Sequence, residues 1–193
     1  NPMINAGAIV TTSLIKGKNL QEKEERMLAF FRKLAKNDTL EINQSVYKSE
    51  KLTGDRNRAM GYLLKNDGFI EGDVEEVLDL YFKQCSIEVD VVDLARIALL
   101  FANYGVDIET GERVISENIS RIVKTFMVTC GMYDASGEFA LKVGIPAKSG
   151  VGGGIMASVP RRMGIGVFGP ALDKKGNSIG GLKVLEDLSR ELE

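Results

Sequence analysis

Three short patterns hold residues whose chemistry depends on spacing. Residues 144–160 read GIPAKSGVGGGIMASVP, a lysine and a serine beside a run of glycines. Glycines at this density permit close approach of a substrate and leave backbone N–H groups open along an edge. Two Ser-x-x-Lys matches occur, Ser13-Leu-Ile-Lys16 and Ser45-Val-Tyr-Lys48. On a helix this spacing sets an amine beside a hydroxyl, which is what a serine needs to become a nucleophile. Both residue types are common in this chain, Lys16 adjoins Gly17 at a helix end, and Lys48 lies in a charged run, so neither match is read as catalytic. Gly164-Ile-Gly166-Val-Phe-Gly169 fits G-x-G-x-x-G. A dinucleotide site also needs a helix N-terminus after the glycines to hold the pyrophosphate. Here the segment is strand-like and runs into Pro170, so the glycines are read as letting a strand lie against a neighbour or a ligand.

The chain has no histidine, which removes the Ser-His-Asp and Cys-His arrangements and the usual zinc sites from its own repertoire. Proton transfer must fall to Lys, Tyr, Asp or Glu, tuned by burial and neighbours. Cys85 and Cys130 fit no metal or redox spacing and read as buried thiols in a reducing compartment, the cytoplasm. A net charge of −2 with no basic tract argues against nucleic acid. No apolar run reaches the ~18 residues of a membrane span. The chain opens at Asn1 rather than at a methionine, so a fragment of a longer protein is expected.

The elements that must position these residues follow from periodicity. A loop over 1–5 leads to a buried helix over about 6–16, and Met27, Leu28, Phe30, Phe31 and Leu34 mark an amphipathic helix over about 20–36. Gly54-Asp55 reads as a break, with Asp55 capping a helix that ends near Lys65. Val74, Val77, Leu78, Tyr81 and Phe82 mark another amphipathic helix. The stretch from Val92 to Phe101, apolar on most sides, reads as a central buried helix closed by Gly105. Ser116 caps a helix ending at Gly131. Beyond Gly131, glycine and β-branched residues predict strand, strand, a turn at Pro160-Arg161-Arg162 and strand, with a hairpin of about 149–158 against 163–169, then an amphipathic C-terminal helix. Helix and strand do not alternate, so the class is α+β with a mainly antiparallel sheet. A helical subdomain over 1–131 and a strand-rich part over 132–193 are expected to form one continuous fold.

Within this frame Asn5, Glu50, Asn57, Tyr81 and Tyr133 sit near element ends or on mixed faces. Singly, each reads equally as a cap, a surface charge or a core edge. Together they offer a carboxylate for an α-ammonium, amides for an α-carboxylate, and phenols, a set that suits a free amino acid. Lys148-Ser149-Gly150 resembles the K-T-G strand of penicillin-recognising serine enzymes, which lines one wall of a site whose backbone N–H groups face an oxyanion. A plain structural hairpin is the other reading.

The blocks NPMINAGAI, SEKLTGDRN, LYFKQCSIEV, CGMYDASGEFA and PAKSGVGGGI, in this order and spanning essentially the whole chain, resemble those of the serine-dependent glutaminases. The resemblance implies a β-lactamase/transpeptidase-like fold and hydrolysis of L-glutamine to L-glutamate and ammonia, with no metal or organic cofactor. It implies substrate contact by Asn5, a hold on the substrate amino group by Glu50, and a second amide at the substrate carboxylate from Asn57. It implies that Tyr81 and Tyr133 are active-site tyrosines plausible in proton transfer, and that the Val151 N–H helps form the oxyanion hole. In that family the nucleophilic Ser-x-x-Lys precedes the NPMINAGAI block, with which this chain begins. The nucleophile, a further tyrosine and the N-terminal strands of the sheet are therefore expected upstream, and this chain alone is expected to be inactive. A homo-oligomer, dimer or tetramer, is also implied. Two other classes stand beside this one: a non-catalytic fragment or binding module, and a penicillin-binding or β-lactamase-type hydrolase.

Overall fold

The computed structural model describes residues 1–192, and they divide into two compact units, Asn1–Val89 and Asp90–Glu193. The first unit is helical: α1 (Asn5–Ser13), α2 (Leu20–Ala35), α3 (Gln44–Thr53), α4 (Asp55–Asn66) and α5 (Val74–Cys85). Each start has a local cause. The side chains of Asn19, Asn43 and Asp73 accept hydrogen bonds from the otherwise unpaired first N–H groups of α2, α3 and α5. Ile9, Ile70, Val74, Val77, Leu78, Tyr81 and Phe82 close the core, with α5 supplying most of it. The chain ends α1 at Ser13 rather than near 16, because Leu14 and Ile15 close on Thr11 and Thr12 carbonyls in tight turns. Asp55 is the first residue of α4 rather than its cap; Gly54 occupies the cap position, and α3 fills the polar stretch before it.

A charge cluster fastens three helices of this unit. Asp79 of α5 accepts hydrogen bonds from Tyr47 and Lys51 of α3 and pairs with Lys83 at 2.8 Å, while Lys83 reaches Glu24 of α2 at 2.8 Å. Burial alone would push the Asp79 carboxyl up, but the donors from Lys51, Lys83 and Tyr47 outweigh it and hold the pKa at about 2.

The second unit holds α6 (Val91–Ala102), α7 (Glu117–Cys130), a single 3-10 turn (Tyr133–Ala135), α8 (Ser136–Lys142), strands β1 (Ala147–Ser149), β2 (Gly154–Val159) and β3 (Met163–Phe168), and α9 (Ile179–Leu192). The sheet is antiparallel in the order β1-β2-β3, with Ala157 facing Ala147 on one side and Ile165 on the other. These inward residues join Met132, Phe139, Ile155 and Leu185 in the core. Alternate burial along the strands leaves the other face to α6, which starts at a reciprocal capping box between Asp90 and Asp93. The hairpin forms between β2 and β3, but its first strand starts at Gly154 rather than near 149, because residues 150–153 turn and Ser149 belongs to β1, paired with Ile155; the C-terminal helix forms as expected.

The first strand expected after Gly131 is instead helix α8. Phe139 is buried and Val143, four residues on, packs on the same core, while Glu138 and Lys142 pair at 2.8 Å across one turn. This is a helical face, and packing outweighed the β-branched composition around it. Among the described residues, no helix is long and apolar enough to cross a membrane.

Candidate functional site

In the first unit, Gly54 sets the geometry of two candidates. A Cβ there would meet Phe82 Cζ at 2.5 Å and the Glu50 carbonyl oxygen at 2.7 Å, so only glycine lets the corner between α3 and α4 rest on Phe82. Arg58 fastens the same corner by donating to the Lys51 carbonyl at 2.5 Å and lying over the Phe82 ring. Glu50 thus ends up in the last turn of α3, half-buried, and Asn57 in the first turn of α4. Asn57 Oδ1 accepts from Asn5 Nδ2 at 3.0 Å, which joins two predicted site residues that are 52 positions apart.

Tyr81 is buried on the inner face of α5, its ring tilted against Phe82. One turn further on, Cys85 brings Tyr81 and Glu50 into one neighbourhood. Its thiol reaches solvent, yet the protein atoms around it push its pKa up; a hydrogen bond from Tyr81 pulls against that shift and the Glu50 carboxylate adds to it. Cys85 at neutral pH is therefore a protonated thiol and a poor nucleophile.

In the second unit, Tyr133 and Val151 come together. Residues 150–153 form a glycine turn closed by Gly150 N–H to the Gly154 carbonyl at 2.9 Å and Gly153 N–H to the Gly150 carbonyl at 2.9 Å. Val151 stands exposed at its tip. Burial pushes the Tyr133 phenol up, and the nearby Val151 backbone N–H opposes that shift. The phenol therefore stays protonated at neutral pH.

Lys148 completes the group, although it was read only as part of a strand motif. Its Nζ lies 4.6 Å from the Tyr133 ring centroid and donates to the Ser149 carbonyl. Burial lowers its pKa to about 8, so roughly a tenth of the amine is neutral at pH 7. The sequence signal was present in Lys148-Ser149-Gly150; what it lacked was the placement of Tyr133 against β1.

The two Ser-x-x-Lys matches are not built as nucleophiles. Ser13 Oγ donates back to the Val10 carbonyl at 2.7 Å, and Lys16 lies exposed beyond the end of α1. Ser45 and Lys48 are exposed on α3. Gly164, Gly166 and their strand lie against the backbone of α6 rather than against a ligand: an added Cβ would meet the Ala95 and Val91 carbonyl oxygens at 2.1 Å. Among the described residues, no group of three or more Cys, Asp or Glu could hold a metal ion.

A profile of the glutaminase family matches residues 1–193, the whole of the chain. The chain is 80% identical to a glutaminase of Clostridioides difficile (strain 630), covering all of this chain and 62% of that protein. It is 64% identical to glutaminase 2 of Clostridium perfringens (strain 13 / Type A), covering 63% of it. The chain thus spans somewhat under two thirds of the length of these relatives. Among solved structures, the Bacillus subtilis glutaminase YbgJ, in covalent complex with 5-oxo-L-norleucine, superposes with a TM-score of 0.96 at 43% identity, over all of this chain and 68% of that one. The native form of Mglu superposes with a TM-score of 0.95 at 38% identity. With the five sequence blocks in order, the β-lactamase-like fold matched along its full length, and relatives far above chance identity, the chain belongs to the glutaminase family.

Proposed function

We propose that the protein carrying this chain hydrolyses L-glutamine to L-glutamate and ammonia through a serine acyl-enzyme, and that this chain supplies most of the substrate-recognition shell. The observation that carries the reading is the Tyr133, Val151 and Lys148 group: a protonated phenol, a backbone N–H and a half-buried amine of lowered pKa at one glycine turn. That combination suits acyl transfer, which needs a proton carrier beside an oxyanion donor. The relative of known structure that forms a covalent complex by reaction with 6-diazo-5-oxo-L-norleucine, a glutamine-like diazoketone, supports the same chemistry here.

In this reading Glu50 holds the substrate ammonium, and Asn5 and Asn57 present amide donors to its carboxylate. The serine is contributed by the part of the family's length that this chain does not span. Its oxygen bonds to the side-chain carbonyl carbon, and the negative charge on the carbonyl oxygen is met by the Val151 N–H. The C–N bond then breaks, and the serine proton reaches the departing nitrogen through Tyr133 to give ammonia. Water next adds to the ester carbon, the serine–carbon bond breaks, and a proton returns to the serine as glutamate leaves. Tyr133 rather than Tyr81 is assigned this transfer, because Tyr81 is buried and engaged with Cys85. Tyr81 remains a wall of the substrate site.

The two free thiols fit a reducing compartment, the cytoplasm, and self-association into a dimer or tetramer accompanies the reading. The test is glutamine hydrolysis by the full-length protein, followed as ammonia release. Glu50→Gln should raise KM by about tenfold or more with a smaller effect on kcat, as expected for loss of a ground-state contact. Unchanged KM in Glu50→Gln, or covalent labelling by penicillin in place of the diazoketone, would overturn the proposal.

A further inference from the structure

Tyr133 has a φ of 52°, in the left-handed region that a bulky side chain rarely adopts. Such a conformation persists only where the surroundings over-determine it. Here the two peptide planes whose relative rotation defines the Tyr133 backbone are each held by a buried side chain. On the preceding plane, the Met132 carbonyl accepts from Asn177 Nδ2 at 3.2 Å. On the following plane, the Tyr133 carbonyl accepts from Ser136 Oγ at 2.8 Å, and the same Oγ accepts from the Met132 N–H at 3.0 Å. Asn177 is fully buried and Ser136 nearly so.

Asn177 closes a small loop built to present it. Asp173 Oδ1 accepts from the Lys175 and Asn177 N–H groups at 2.8 and 2.9 Å, and the Asp173 N–H donates to the Asn177 carbonyl at 2.8 Å. Between them Gly176, with φ of 90°, faces the same place: a Cβ added there would reach ordinary contact, 3.7 Å, with both Tyr133 Cε2 and Val151 Cγ1. The loop that clamps the Tyr133 backbone therefore also runs beside its ring and the Val151 side chain.

We infer that Asn177 and Ser136 are positioning residues, which hold Tyr133 in its left-handed conformation and so fix where its ring stands beside the glycine turn. Neither touches the reacting atoms; both act through Tyr133. Asn177→Asp is the sharpest change, since it keeps the shape but replaces the donor facing the Met132 carbonyl with an oxygen. The inference rests on the assignment of Tyr133 as the proton carrier, and the experiment separates the two.

In the full-length protein, kcat and KM for glutamine are measured for Tyr133→Phe, Asn177→Asp and the double variant. Expected is a fall in kcat of about tenfold or more in each single variant, with KM within about threefold, and no further fall when the two are combined. Additive losses in the double variant would make Asn177 a residue of general stability and end the inference. An undiminished kcat in Asn177→Asp, beside a crippled Tyr133→Phe, would also end it. An undiminished kcat in Tyr133→Phe would instead remove Tyr133 from the proton transfer assigned above, and this inference with it, while glutamine hydrolysis itself stood. Should Asn177→Asp fail to fold, the same cycle with Ser136→Ala gives the decision, and additivity there counts equally against it.

Discussion

Lys148 shows how one residue carries a cost that its fold does not need. Its amine is drawn into the protein between β1 and the Tyr133 ring, and desolvation brings its pKa from an ordinary 10.5 to about 8. The sign follows from proton counts. Between about pH 8 and 10.5 the unfolded chain binds a proton that the folded chain has released, so this residue's contribution to stability becomes more favourable as pH rises through that window. Below about pH 8 the folded chain must keep a charged, poorly solvated amine, and the penalty is present in full. Lys148→Met keeps the stem and removes the charge. The variant should be more stable than the parent near neutral pH, with the advantage shrinking to nothing by about pH 10.5, as read by urea denaturation across that range. A constant difference at all pH values would show that this pKa is not lowered in the folded chain. If the proposed function holds, the same substitution should also reduce glutamine turnover in the full-length protein.

At the scale of elements, the packing of α6 on β3 leaves no room for a single added methyl group. Gly166 brings β3 against the Val91 carbonyl of α6, where an added Cβ would lie at 2.1 Å from the oxygen. Backbone cannot yield as a flexible side chain can, so Gly166→Ala should cost about 3 kcal/mol, at the upper end of overpacking effects. Gly137 gives the opposite case: it lies in the first turn of α8 with no atom within 4 Å of an added Cβ, so Gly137→Ala should be neutral to stabilising by roughly 0.5–1 kcal/mol. Denaturation midpoints of the two variants measured together check both. The glycine pattern Gly164-x-Gly166 was thus legible as close approach, but only the fold names α6 as the neighbour. The long amphipathic helices and the hairpin were legible too, because burial of one face writes its period into the residues. Helix α8 was not, since seven residues give too short a period to outweigh a β-rich neighbourhood. The site was legible as residue types, through the resemblance, more than as geometry. Asn5 meets Asn57 across 52 positions, and neither residue marks the other in the sequence. The left-handed Tyr133 left no trace at all, because nothing in the type of a tyrosine announces its φ; its cause lies in Asn177, a loop away.

For the whole molecule, the question is whether these 193 residues can do the chemistry by themselves. The reaction needs an oxygen or sulfur nucleophile that is accessible and has a base within reach. Ser13 spends its hydroxyl on the Val10 carbonyl, and Ser45 stands exposed on the surface of α3. The hydroxyls of Ser149 and Ser158 are buried without access to a substrate. Cys85 is held as a thiol by its surroundings, and the chain has no histidine to take its proton. The residues proposed for substrate binding, by contrast, are present, and Asn5 and Asn57 are already paired. Recognition without attack is the expected behaviour. The 193-residue chain, purified free of full-length enzyme, should release no ammonia from glutamine above the blank and should gain no mass from 6-diazo-5-oxo-L-norleucine. Fused to the remaining portion of its 80%-identical relative, it should do both. Steady-state ammonia release by the unfused chain would mean that one of its own side chains attacks the amide, and the assignment of the nucleophile to the rest of the family's length would fall while the substrate shell stood.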